Sequence, residues 1–131
     1  MRVLIVVALV VFAPLIRAEM LESSEHYAVA KRTAECSLLT MIMGRNAGED
    51  AHRQSLAAVR DWMAVVRKLG ASETQVSAWQ AAYADSLQAM VKGPDGAERV
   101  YEESLACGRY FEEHVDFYAH VVSGTPIESH E

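Results

Sequence analysis

The chain has 131 residues, 51% of them hydrophobic, 8% aromatic and 23% charged, with two cysteines and a formal net charge of −6. This composition excludes collagen-like, disordered and disulfide-dense chains and fits a single domain. The acidic balance argues against nucleic-acid binding, which needs a basic face to neutralise phosphates.

Residues 1–18 read as a signal peptide. Arg2 supplies a short positive start, and residues 3–16 run apolar with only Pro14 interrupting them. Such a run makes about 21 Å of helix against a hydrocarbon core of roughly 30 Å, which fits the apolar region of an export signal better than a lasting membrane span. Ala18 is the small residue at the expected cleavage point before Glu19, and no cysteine follows that would take a lipid anchor. Cleavage removes Arg2 and Arg17, so the remaining 113 residues carry a formal charge of −8. Nine arginines against three lysines, with no Asn-x-Ser/Thr sequence, favour a bacterial envelope protein, periplasmic or secreted.

Within residues 19–125 the apolar spacing predicts four helices with short joints, and residues 126–131 form a polar, flexible tail. The first helix begins near Ser23 or Ser24 and runs to about Met43, with Gly44 expected just past its end. Its apolar stripe is Tyr27, Ala30, Ala34, Leu38 and Met41, while Lys31, Arg32 and Glu35 form the opposite, solvated side. The second helix opens at Asn46 and Glu49, spaced like a capping box, and ends before Gly70. Its stripe is Leu56, Val59, Met63 and Val66, widened by Trp62 and Leu69. The third starts at Ser72-x-x-Gln75, where each side chain can bond the other's free backbone N–H, and stops at Gly93-Pro94. The last and longest is expected to begin at Asp95 and Glu98 and to run to about Val122, before Gly124. No stretch alternates apolar and polar residues, so strands are not expected. Four helices joined by short loops predict an all-α, up-down-up-down bundle.

Cys36 and Cys107 support that topology. Two cysteines in an oxidising compartment pair, and a bridge between them would join the first and last helices, which are neighbours in such a bundle. Closing a loop of about 70 residues contributes on the order of 4 kcal/mol in the chain-entropy model. A redox enzyme keeps its thiols close, as Cys-x-x-Cys, so the distant pair reads as structural.

Residues that carry chemistry are sparse. Glu113, Asp116 and His120 fall at i, i+3 and i+7 on one helix face, a pattern that can bind a divalent metal but matches no zinc signature. Haem attachment through Cys-x-x-Cys-His is excluded by its absence, and Met41, Met63 and Met90 sit where methionine fills a core. No serine lies in Gly-x-Ser-x-Gly or Ser-x-x-Lys, and no glycine-rich phosphate loop occurs. The charge pattern is more informative. Arg53, Arg60 and Arg67 recur every seven residues along the second helix, a row suited to carboxylates or phosphates on a partner, while the acidic last helix is an alternative docking surface for a basic one. The last helix is acidic, with seven carboxylates against two arginines between residues 95 and 122.

These features predict a non-enzymatic binding protein without a cofactor. Its partner would be another envelope protein, and no membrane span would remain after signal removal. The rival readings are a metal- or haem-carrying bundle and a hydrolase with an unrecognised carboxylate–histidine site.

Overall fold

The computed structural model describes residues 20–124. The signal peptide expected at 1–18 and the tail expected at 126–131 lie outside the described residues. The chain folds into five helices: α1 (Glu25–Asn46), α2 (Glu49–Lys68), α3 (Glu73–Lys92), α4 (Gly96–Glu113) and α5 (Val115–Ser123). No strand occurs among the described residues.

Local signals set most of the boundaries. Ser24 caps α1 by accepting the Tyr27 N–H at 3.3 Å. At α3 the reciprocal cap forms as its spacing predicts: Gln75 N–H donates to Ser72 Oγ at 3.1 Å, and Ser72 N–H donates to Gln75 Oε1 at 2.9 Å. Helix α3 stops at Lys92, before Gly93-Pro94. Asp95 then takes a left-handed conformation (φ 54°), which Asp tolerates better than most residues. Beside it, Gly96 lies so close to the Val91 and Met90 carbonyls that a side chain would overlap them.

Two expected boundaries are corrected. Gly44 is not a terminal glycine but a buried residue inside α1, which runs on to Asn46. It is required there because α1 and α2 cross so closely that any Cβ would run into the Ser55 side chain. Asn46 therefore ends α1 rather than capping α2, whose cap is Gly48 with no side-chain bond. The expected long last helix is also broken, at His114 (φ −108°, ψ 7°). Its Nδ1 lies 2.8 Å from the Tyr110 carbonyl, which the His114 backbone N–H also approaches at 3.1 Å. A side chain entering the helical ladder in this way is a known cause of a bend. The fourfold bundle of the expectation thus becomes five helices, and the disulfide joins α1 to α4, not to the terminal helix α5.

Packing is centred on α1. Its buried residues Ala30, Thr33, Ala34, Cys36, Ser37 and Leu39 spread over more than half its circumference, because α2, α3 and α4 all pack on it. Two apolar clusters follow. One gathers Ala30 and Ala34 of α1, Val66 of α2, Ala71, and Trp79 of α3, whose Nε1–H donates to Tyr27 Oη at 3.3 Å. The other holds Leu39, Tyr83, Leu87 and the Cys36–Cys107 pair, with Cα atoms 5.4 Å apart. Helix α5 folds back over α2, where Lys68 Nζ donates to the Val122 carbonyl at 2.9 Å, and Phe111 of α4 stacks on Trp62 of α2 with ring centroids 3.7 Å apart. Thr33 and Ser37, expected in neither stripe, are buried with partners. Thr33 Oγ1 lies 2.8 Å from Tyr118 Oη, and Ser37 Oγ donates to the Thr33 carbonyl at 2.7 Å.

Gly44→Ala is expected to cost about 1–3 kcal/mol through overpacking at Ser55. Gly108→Ala, in open space on α4, should be neutral or stabilising by up to about 1 kcal/mol. Urea denaturation measures both, and a Gly44→Ala chain as stable as wild type would contradict the close crossing. A second outcome concerns alkali. Burial pushes the Tyr118 hydroxyl up to about 12, with the Thr33 bond opposing it, and burial also raises Tyr83. An unfolded tyrosine ionises near pH 10, so the unfolded state sheds protons first and stability falls as pH rises from about 10 towards 12. Tyr118→Phe should flatten that alkaline loss, read as the urea midpoint against pH.

Candidate functional site

The arginine row forms on α2. Seven residues turn a helix through nearly two full turns and advance it about 10 Å, so Arg53, Arg60 and Arg67 line up over roughly 21 Å. All three are exposed. Arg53 lies 3.6 Å from Asp50 in a solvated pair of little energetic weight. Arg60 and Arg67 make no ion pair among the described residues.

Beside this row the fold leaves a cleft that the sequence did not announce. Helices α2 and α3 are consecutive, yet no Cα of one comes within 8 Å of the other. The space between them is about 280 Å³. Val59 and Met63 of α2, Val76 of α3 and Met41 of α1 line it, with exposed Arg67 and Glu73 on opposite walls. Leu56, expected in the core, is 44% exposed, between Arg53 and Arg60 on the helix surface. Two further apolar grooves exist. One, of about 500 Å³, lies where Leu39 and Ile42 of α1 face Leu87 and Val91 of α3. The other, of about 490 Å³, separates Trp62 and Val65 of α2 from Val115 and Val122 of α5.

The second polar feature lies on the side of α1 that was expected to face solvent. Arg32 Nη2 reaches Glu103 Oε1 of α4 at 2.9 Å, and Tyr83 Oη of α3 donates to the same oxygen at 2.7 Å. Arg32 also lies 3.8 Å from Glu35, and its guanidinium sits 6.0 Å from the Tyr83 ring centroid. Burial alone would raise Glu103, but the bonds from Tyr83 and Arg32 outweigh it and hold the carboxyl below its usual range. Burial pulls the Arg32 guanidinium down, and Glu103 more than offsets it. Glu35 is raised by burial, with Arg32 opposing. A carboxylate so firmly held as the anion is a poor general base, and no histidine joins these groups. The cluster fastens α1, α3 and α4 together beside the disulfide.

The remaining sequence candidates separate. Glu113 ends α4, whereas Asp116 and His120 belong to α5, beyond the break at His114. Among the described residues no three His, Cys, Asp or Glu side chains are grouped to hold a metal ion. Cys36 and Cys107 are buried and paired with each other. The residues missed from sequence are Arg32, Tyr83 and Glu103 of the network and the cleft-lining Met41, Met63 and Val76. Leu56 and Met63, standing three or four positions from the arginines, were the available signal that an apolar strip borders the row.

Replacing Glu103 by Gln should cost about 1 kcal/mol at pH 7 by removing the ion pair with Arg32. A carboxyl depressed by folding stabilises above its unfolded value, near 4.3, and that contribution vanishes as pH falls through the folded value. The gap between wild type and Glu103→Gln in urea denaturation should therefore close on acidification below about pH 4, and a gap independent of pH would contradict the assignment.

The chain matches no protein-family model, no curated protein and no solved structure.

Proposed function

We propose that this is a small exported protein, periplasmic or secreted, that works without catalysis by binding another envelope protein through the arginine row of α2. On this reading residues 1–18 are a leader removed near Ala18. The body is an up-down-up-down bundle in which α4 and α5 serve together as one bent fourth helix, tied to the first through Cys36 and Cys107. A disulfide suits an oxidising compartment. No helix among the described residues is long and apolar enough to cross a membrane.

The observation that carries the reading is the pair Arg60 and Arg67, exposed in line and without an ionic partner among the described residues. Guanidinium groups bind carboxylates through two parallel donors, and a row of them steers an acidic partner as well as holding it. The charged network around Arg32 is satisfied within the fold and has no such capacity to spare.

The chain, immobilised in its oxidised form, is expected to retain an envelope protein from extract at low salt. Arg60→Glu should reduce that retention about tenfold or more, the scale for reversing a charge that faces an opposite one. Because Arg60 is exposed and makes no ion pair among the described residues, the variant's melting temperature should move by less than about 3 °C. Equal retention by the variant would remove the arginine row from the proposal.

A further inference from the structure

The cleft between α2 and α3 adjoins the arginine row, and the two features together define a ligand more narrowly than either alone. We infer that the cleft is a seat for one amphipathic helix of the partner protein, its apolar stripe against Met41, Val59, Met63 and Val76 and a flank of carboxylates against Arg53, Arg60 and Arg67. This rests on the reading of the chain as a binding protein and states how it binds.

Three observations select this occupant. The space is bounded by two helices whose backbones stay apart, with a third beneath them, which is the geometry that receives a helix laid on its apolar face. The lining is apolar at the base and carries Arg67 on the α2 wall, and Arg60 and Arg53 continue that basic row along the exposed surface of α2 beyond the cleft; Arg60 and Arg67 have no ionic partner among the described residues. Finally, the arginines repeat every seven residues. A partner helix running alongside α2 presents residues of one flank at that same interval, as flanking charges do in paired helices. An extended peptide would instead present side chains every two residues, about 7 Å apart, out of step with a spacing of about 10 Å.

The facing wall sets a direction. Glu73 stands opposite Arg67, and the wall continues with Ser77 and Gln80, which are uncharged. A helix acidic on both flanks would meet Glu73 with like charge, so the fitting partner is acidic on the α2 side and neutral or basic on the α3 side.

The test uses a labelled three-heptad peptide of about 21 residues, with Leu at the apolar positions and Glu at one flanking position of each heptad. Its counterpart carries Lys in place of Glu. Fluorescence anisotropy with the purified, oxidised full chain should show the Glu peptide binding about tenfold or more tightly than the Lys peptide at low salt, with the difference shrinking as salt is added. Arg60→Glu with Arg67→Glu should reverse the preference. Ser77→Trp, an exposed position on the cleft wall, should block both peptides, with circular dichroism verifying that its fold is intact. Equal binding of the two peptides, or Ser77→Trp binding like wild type, would overturn the inference. So would a concentration-dependent dimer in sedimentation that Ser77→Trp dissolves and the Glu peptide does not displace, since the occupant would then be a second copy of this chain. If Arg60→Glu abolishes capture of the envelope protein while Ser77→Trp leaves it intact, partner binding by the arginines stands and the helix-in-cleft mode falls.

Discussion

The Cys36–Cys107 link fixes which helices surround α1, and the rest of the molecule is arranged around that choice. Both sulfurs are buried, in a cluster that also takes Leu39, Tyr83 and Leu87, so the covalent tie and the apolar contact lie in the same place. It holds α4 against α1, and Tyr83 brings α3 into the same corner through the oxygen of Glu103 that Arg32 also binds. Helix α2 packs on the same central helix, sharing the cluster of Ala30, Ala34, Val66 and Trp79 with α3. It approaches α1 closely only because Gly44 has no side chain to hold it off. Both α2 and α3 pack on α1, and α5 lies over α2. The side chains of α2 and α3 meet only in the cluster around Val66 and Trp79, while their backbones stay apart, and the gap between them opens beside that cluster.

The features legible in the sequence are those whose physics is local. Ser24, the Ser72–Gln75 pair and Gly93-Pro94 act on backbone groups a few residues away, so their effect could be read without knowing the neighbours. The arginine row was legible for the same reason, since seven-residue spacing fixes a common face on any straight helix. The cysteine pairing followed from there being only two of them. Other features depend on a partner from a distant part of the chain. Thr33 and Ser37 look like surface residues until Tyr118 arrives from α5, and Arg32 looks solvated until α4 presents Glu103. Gly44 has the form of a helix stop, and only the crossing with α2 makes it an interior residue. The bend at His114 was hidden because histidine is an acceptable helix residue, and only its ring's approach to the Tyr110 carbonyl reveals the break. That break puts Glu113 in a different helix from Asp116 and His120, whose expected common face assumed an unbroken helix.

The two charged clusters show why similar residue types do different work. Arg32 is half-buried, held by Glu103 and Glu35 and lying near the Tyr83 ring, so its charge is spent within the fold and its loss would leave a carboxylate stranded. Arg60 and Arg67 keep their hydration and, among the described residues, face no acid. Exposed charges of that kind add little to stability, commonly less than about 1 kcal/mol even when paired. On the proposed reading their value rises when a partner covers them, and the partly exposed Leu56 and Met63 beside them are the apolar surface on which it would settle.

Whether such a cleft stays open without a ligand is decided by how α2 is held. At its N-terminal end the Gly44–Ser55 crossing locks it to α1. At its C-terminal end the Trp62–Phe111 stack and the Lys68–Val122 bond tie it to α4 and α5, on the side away from α3. To close on α3, α2 would have to break both attachments in exchange for burying a few partly exposed side chains. Held at two points, it presents the arginines in a line fixed in advance, and a ligand that fits is spared the cost of ordering them. These two attachments add to the packing of α2 along α1, the most extensive between any two helices, and together they make an unfilled space a preformed surface.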